Sequence, residues 1–328
     1  MIKRLGKAFL CRLFERQVVQ LRKKHKMKLV AVGGSVGKTS TKLAIAKTLS
    51  ASKRVIYQDG NYNDRLTVPL VLFDHVEPAI FNIFAWVRIW ANNQRQIRAD
   101  YPYDIAILEL GTDAPGQMEK FAYLKPDLYV LTAVAPEHME YFGQLDVVAE
   151  EELQPIKFSH RTLINVDDTA ANYLTEQTYL GYGHDNGAAY RIVKSEQRGL
   201  MGQHLDIALV TTGRLTAEVS ALGQQGAKLV LAAAAVADQL ELSQEAIVKG
   251  LQSITPVSGR MQVLSGINNA TLIDDTYNSS PIAVKAALDV LYNSESPQRI
   301  AILGSMNEMG DESAAMHSDI GAYCDPKK

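Results

Sequence analysis

Residues 28–50 read KLVAVGGSVGKTSTKLAIAKTLS. The apolar run Lys28–Val32 stops at Gly33 and Gly34, and helical spacing takes over from Thr41 to Ser50. A short apolar run closed by glycines predicts a buried strand, and the periodic segment predicts a helix. Between them lies Gly33-Gly34-Ser35-Val36-Gly37-Lys38-Thr39-Ser40. Glycines there let backbone N–H groups turn inward around phosphate oxygens, and the helix N-terminus adds partial positive charge. Lys38 is placed to reach the β- and γ-phosphates and Thr39 to offer its hydroxyl to Mg²⁺; Ser35 and Ser40 complete the loop. The pattern is a shortened one, Gly34-x-x-Gly37-Lys38-Thr39, with Val32 where the longer motif has glycine. By itself the loop indicates a nucleoside triphosphate and nothing narrower.

Working outward, DIAILEL (104–110), DLYVLTAV (127–134) and RTLINV (161–166) are further buried strands alternating with helical stretches. That alternation predicts an α/β domain with a mainly parallel sheet. Residues 188–220 differ: AYRIV, LDIALV and LTAEV, with Thr212-Gly213 between the last two, predict a small antiparallel region. Ala227–Leu240 is an alanine-rich helix. After Gly259 a new α/β pattern begins, with a strand at Thr271–Asp274, a helix at Ile282–Leu291 and a strand at Arg299–Leu303. The expected organisation is 1–27, 28–258 and 259–328.

The chain has 328 residues, 47% apolar and 21% charged, which excludes disorder, collagen and disulfide scaffolds. Its two cysteines, Cys11 and Cys324, make no zinc site and fit a reducing compartment, so the cytoplasm is expected. The net charge of −2 conceals an asymmetry: residues 1–27 carry +8, leaving −10 for the rest. Ile2, Leu5, Phe9, Leu13, Phe14, Val18 and Leu21 recur at helical spacing through that head, giving a basic amphipathic helix. Two roles compete for it: contact with an anionic inner membrane face, or docking on the acidic body, the more ordinary role; the charge asymmetry itself suggests a head with its own partner. Ala79–Ala91 (AIFNIFAWVRIWA), with Arg88 inside it, falls short of the roughly 20 residues a bilayer span needs. It reads as a core or domain-contact helix in preference to a membrane-contact one. No nucleic-acid partner is expected.

Glu109 closes the strand 104–110 at the carboxyl edge, where α/β sheets place ligands. His138 follows the next strand, and Glu150, Glu151 and Glu152 lie on the helix after it. Carboxylates with one imidazole suit Mg²⁺ or Mn²⁺ better than zinc. Taken alone, the glutamate run reads as a solvated helix face.

These segments resemble the Mur ligases, and among them the D-alanyl-D-alanine-adding branch. The matching stretches are Gly34–Lys42, Asn61–Leu70, Glu109–Met118, Ala135–Gly143, Ser258–Gln262, Ile273–Pro281 and Ile302–Glu312, in the family's order. The resemblance implies a P-loop central domain followed by a Rossmann-like α/β C-terminal domain. It also implies an ATP-dependent, ADP-forming amide ligase of peptidoglycan precursor synthesis, with UDP-muramoyl tripeptide and D-Ala-D-Ala as substrates and Mg²⁺ as cofactor. Carried over by motif, Lys38 holds the phosphates, Thr39 and Glu109 bind one metal and His138 the second. Arg260 contacts ATP from the C-terminal domain, Asp275 meets the ribose, and Tyr277 and Asn278 share that nucleotide-facing loop. Asn61 and Asn63 face substrate or phosphate.

The departures are specific. The family's carbamylated lysine, 14 residues after the metal histidine, is Glu152 here, a residue that supplies a carboxylate without modification. Its His-Asn pair is Gln225-Gly226, and its Gly-Asp-Met is Gly304-Ser305-Met306. The family's UDP-sugar-binding domain has no counterpart ahead of the phosphate loop. The C-terminal sheet is expected to be incomplete, needing a partner or a further segment.

Overall fold

The computed structural model describes residues 2–58, 60 and 62–324. Asn61 and the side chains of Ile2 and Leu5 lie outside the described residues. Helix α1 (Ile2–Lys24) leads into β1 (Lys28–Gly33), and α2 (Lys38–Ser50) follows the phosphate loop. Next come β2 (Val55–Ile56), α3 (Thr67–Val71), α4 (Ile83–Arg98), β3 (Ile105–Glu109), β4 (Leu128–Leu131), α5 (Met139–Phe142), α6 (Leu145–Leu153) and β5 (Thr162–Asn165). Strands β6 (Leu180–Gly183), β7 (Tyr190–Gln197), β8 (Gln203–Ala208) and β9 (Arg214–Val219) precede α7 (Gly223–Gln239) and α8 (Gln244–Gln252).

Nine strands form one sheet in the order β2-β3-β1-β4-β5-β6-β7-β8-β9. From β2 to β7 every pairing is parallel; β7, β8 and β9 pair antiparallel. The antiparallel region is therefore an extension of the central sheet. Alternation along β1 explains the layers. Val30 and Val32 face one core with α2, α7 and α8, whereas Leu29 and Ala31 face another that includes Val18 and Leu21 of α1. A strand buried on both faces reads as a continuous apolar run, as KLVAV does.

Helix α1 docks its apolar side on the body: Phe14, Val18 and Leu21 are fully buried. Phe14 stacks 5.7 Å from Trp86 of α4. One side of the head is thus docked on the body, while Phe9 stays exposed.

The glutamate run is not a solvated face. Glu151 and Glu152 are 4% and 1% exposed. Glu151 accepts N–H bonds from Gly116 and Gln117, both at 2.7 Å, and so shapes the 111–118 loop beside β3.

Beyond Gly259, β10 (Gln262–Ser265) and β11 (Thr271–Asp274) form a two-stranded antiparallel sheet, followed by α9 (Pro281–Tyr292) and α10 (Ser313–Tyr323). The strand expected at Arg299–Leu303 is absent: these residues find no ladder partner among the described residues, and Ile300 and Ile302 stand exposed. A strand needs a neighbour for its N–H and C=O groups.

Helix α8 braces α2 through Gly250, where an added Cβ would lie 2.4 Å from the Thr48 carbonyl oxygen. Gly250→Ala is expected to cost about 1–3 kcal/mol by overpacking, measured as a lowered Tm, and to loosen the helix that carries the phosphate loop.

Candidate active site

The loop after β1 is fixed by its neighbours. Gly34 has φ +115°, and a Cβ there would meet Thr132 Oγ1 at 2.4 Å, so only glycine fits. Its N–H donates to Glu152 Oε2 at 2.7 Å. Ser35 donates its N–H to the Ala133 carbonyl at 2.9 Å, and its Oγ accepts from Ala135 N–H at 3.1 Å. Gly37, at φ +85°, opens α2 with no side-chain cap. The first N–H groups of α2 thus remain available to an anion.

Lys38 points from this turn to Glu137, 3.1 Å away. Burial works against its charge, but Glu137, Glu152 and Glu109 outweigh burial and raise its pKa. Thr39 donates its hydroxyl to Glu109 Oε1 at 3.2 Å, and Asn63 Nδ2 lies 3.4 Å from the same oxygen. Glu109 Oε2 faces the Lys42 ammonium at 3.2 Å yet makes no hydrogen bond. Both side chains of this pair are 2% exposed. Glu109 Oε1, beside a threonine hydroxyl at a phosphate loop, has the donor chemistry of a Mg²⁺ site, while Oε2 is already ion-paired with Lys42. The residues present fit that ion.

The second expected ligand is held differently. His138 has φ +52°, with Nε2 3.6 Å from Asp113 and 3.7 Å from Glu137, while Nδ1 contacts Glu308. Met139 N–H donates to the Glu308 carbonyl at 2.9 Å, so this contact joins the C-terminal part to the central one. Among the described residues no three His, Cys, Asp or Glu side chains form a ready-made metal cage. Thr39 and Glu109 are brought together; His138 and Glu152 are not gathered with them into one ligand set. Burial, opposed by Lys38, pushes the Glu152 carboxyl up to about 7.

Across the cleft, Arg260 stacks 4.1 Å over the Tyr277 ring. Asp275 accepts from Met261 N–H at 3.0 Å; burial raises its pKa against the pull of that bond and of Arg260. One cavity of about 790 Å³ is lined by Ser35, Gly37–Ser40, Glu109, His138, Arg260, Asp275, Tyr277 and Asn278. That volume accommodates a nucleotide. Gly34 and Glu152 stand behind its wall. Sequence reasoning assigned no role to Lys42, Glu137 or Glu308. Lys42 was findable: it lies one helical turn after Lys38 on a segment otherwise bound for the core.

Fold and cleft together define a P-loop α/β protein with a nucleotide-sized cleft between two parts of one chain. A family model described as Mur ligase middle domain matches residues 90–237, and one described as Mur ligase, glutamate ligase domain matches 259–328, together about two thirds of the chain. The chain belongs to the Mur ligase family. It is 26% identical over 309 residues to the UDP-N-acetylmuramoyl-tripeptide--D-alanyl-D-alanine ligase of Bacillus subtilis, covering 92% of this chain and 61% of that protein. The same-named protein of Haemophilus influenzae is 27% identical over 311 residues, covering 92% and 62%. The chain thus spans about three fifths of the length of these relatives. Among solved structures, MurF from Acinetobacter baumannii superposes with a TM-score of 0.79 at 21% identity, covering 96% of this chain and 64% of that one. MurF ligase from Thermotoga maritima in complex with ADP gives 0.74 at 22%, covering 97% and 68%. These likenesses establish the fold.

Two predictions follow from the buried charges. Lys42→Met leaves Glu109 buried and unpaired and is expected to destabilise by about 3–5 kcal/mol; Glu109→Gln in the same chain should restore part of the loss, measured by denaturant unfolding. Glu152 has a folded pKa of about 7 against an ordinary 4.5, so the folded state binds its proton more tightly. Its contribution is fully present below pH 4.5 and is lost as pH rises through 7. In chelator, wild type should lose on the order of 2–3 kcal/mol relative to Glu152→Gln across that window, measured as the difference between their unfolding free energies.

Proposed function

We propose that the chain catalyses ATP-dependent amide bond formation, joining D-Ala-D-Ala to a UDP-muramoyl tripeptide through an acyl phosphate and releasing ADP and phosphate. The observation that carries this reading is the single cleft in which the uncapped start of α2, Lys38 and Glu109 face Arg260 and Asp275. The names of the relatives supply the substrates. We further propose that residues 28–258 form the nucleotide-binding unit and 259–328 its second wall.

In this mechanism the N–H groups at the start of α2 and the Lys38 ammonium neutralise the β- and γ-phosphates. Thr39 and Glu109 would hold Mg²⁺, which would offset the charge shared by phosphate and carboxylate. Arg260 closes on the triphosphate from the far wall, its guanidinium already oriented by Tyr277. The tripeptide carboxylate attacks the γ-phosphorus as the bond to ADP breaks. The amine then attacks the acyl carbon, loses a proton, and phosphate departs. His138 is proposed to serve the reacting groups once released from Glu308, and Glu152 to provide the negative charge behind the loop.

A second reading, a Mur-type ligase for another carboxylate acceptor such as a lipid-linked one, is favoured by the basic helix α1 with its exposed Arg12, Arg16 and Lys23. Phosphate release from Mg-ATP, with each substrate added singly and together, decides. Release requiring both substrates, and reduced at least about 100-fold by Lys38→Ala, supports the first reading. Nucleotide binding without release on this pair rejects it in favour of a different acceptor or a subunit that needs further residues.

A further inference from the structure

Helices α1 and α4 pack side by side and run in the same direction. Gln17 Nε2 donates to the Trp90 carbonyl at 3.0 Å, Gln94 to Gln20 at 3.4 Å, and Lys24 Nζ to the Arg98 carbonyl at 2.6 Å. Each helix has spent one side on the body: Phe14, Val18 and Leu21 from α1, Trp86, Ile89 and Ile97 from α4. The other side of the pair remains apolar where a soluble surface would be polar. Phe84 is 90% exposed, Ile83 70%, Phe9 66%, Val87 58% and Trp90 41%. Single exposed apolar residues need no explanation, but five on two adjoining helices do.

The exposed charges carried by the two helices have one sign. Arg12, Arg16 and Lys23 of α1 and Arg88 and Arg95 of α4 are exposed. Helix α4 contains no acid, and the one acid of α1, Glu15, is turned toward Arg65, whose Nη2 donates to it at 3.0 Å. Asp74 and Asp100 lie outside the two helices, as do Asp64 and Glu77, both of which lie near Lys7 of α1. Aromatic and aliphatic side chains set among Arg and Lys are what an anionic bilayer surface binds. The apolar groups enter the acyl boundary, and the cations meet the headgroups.

We propose that this α1–α4 face docks the chain on a membrane surface rich in anionic lipid. A second copy of the chain is the less favourable occupant, because a cationic face repels itself across a two-fold axis. The placement carries a consequence for the cleft. Helix α1 ends where β1 begins, and α4 ends before β3, so both helices finish at the starting edge of the parallel strands. Their N-terminal turns, with Phe9, Ile83 and Phe84, rise toward the carboxyl edge, where the phosphate loop and Glu109 lie. Lys7 marks the proximity: it pairs at 2.9 Å with Asp64, the neighbour of Asn63 in the candidate site. A docked chain holds the edge of its cleft near the lipid.

The test is co-sedimentation of the full chain with vesicles of phosphatidylcholine alone or mixed with phosphatidylglycerol, without nucleotide, so that its outcome is independent of ligase activity. The expected result is binding to the anionic vesicles only, weakening as salt rises. The double variant F84E/V87E should raise the lipid concentration for half-binding by about tenfold or more, and R12E/R16E should weaken binding and flatten its salt dependence, with Tm unchanged in both. Absence of binding to anionic vesicles at low salt overturns the proposal, as does binding indifferent to both variants. A chain that self-associates and is dispersed by F84E/V87E overturns it too, by giving the face to a second copy.

Discussion

An ammonium and a carboxylate buried together must each find the other, and in this chain that requirement organises the site. Helix α2 lies on the sheet beside α7 and α8, and Lys42 is buried beneath it. Glu109, at the end of β3, is buried too. Their pairing at 3.2 Å ties the phosphate-loop helix to the neighbouring strand and fixes how far α2 stands above the sheet edge. Thr39, one turn earlier on α2, thereby meets Glu109, and Lys38 is directed across the loop to Glu137. The pair is costly to desolvate. Its return is positional: it holds the uncapped start of α2 and the carboxylate of Glu109 in one frame.

The loop's backbone is set from the opposite side. Gly34 sits too close to the segment after β4 for any side chain, and its N–H is held by a carboxylate reaching in from α6. One chain turn is therefore pinned by two glutamates, Glu109 in front and Glu152 behind. The apolar layers on either side of the sheet keep both out of solvent.

Much of this was legible in the sequence for identifiable reasons. The phosphate loop is local, its glycines and Lys38-Thr39 adjacent in the chain, and the strands beside it are buried on both faces and so read as unbroken apolar runs. Strands β2 and β6 were not legible: two and four residues long, they exist because a neighbour's ladder recruits them. Arg299–Leu303 shows the converse, a strand-like pattern with no ladder to join. Glu151 and Glu152 looked like a wet helix face because periodicity does not reveal which loops will cover a helix, and here residues 111–118 and the phosphate loop supply N–H groups that draw both inward. The Glu308 contact with His138 joins segments far apart in the chain, which no local pattern encodes.

The two walls of the cleft differ in when they come into being. Some 220 residues separate Ser40 from Arg260, and the strands between them must close their own loops first. Contacts that join such distant segments form late, since the chain entropy of closing the loop is lost before the contact rewards it. A ligand touching both walls would recognise only the assembled cleft, and its binding free energy would add to the stability of the whole molecule.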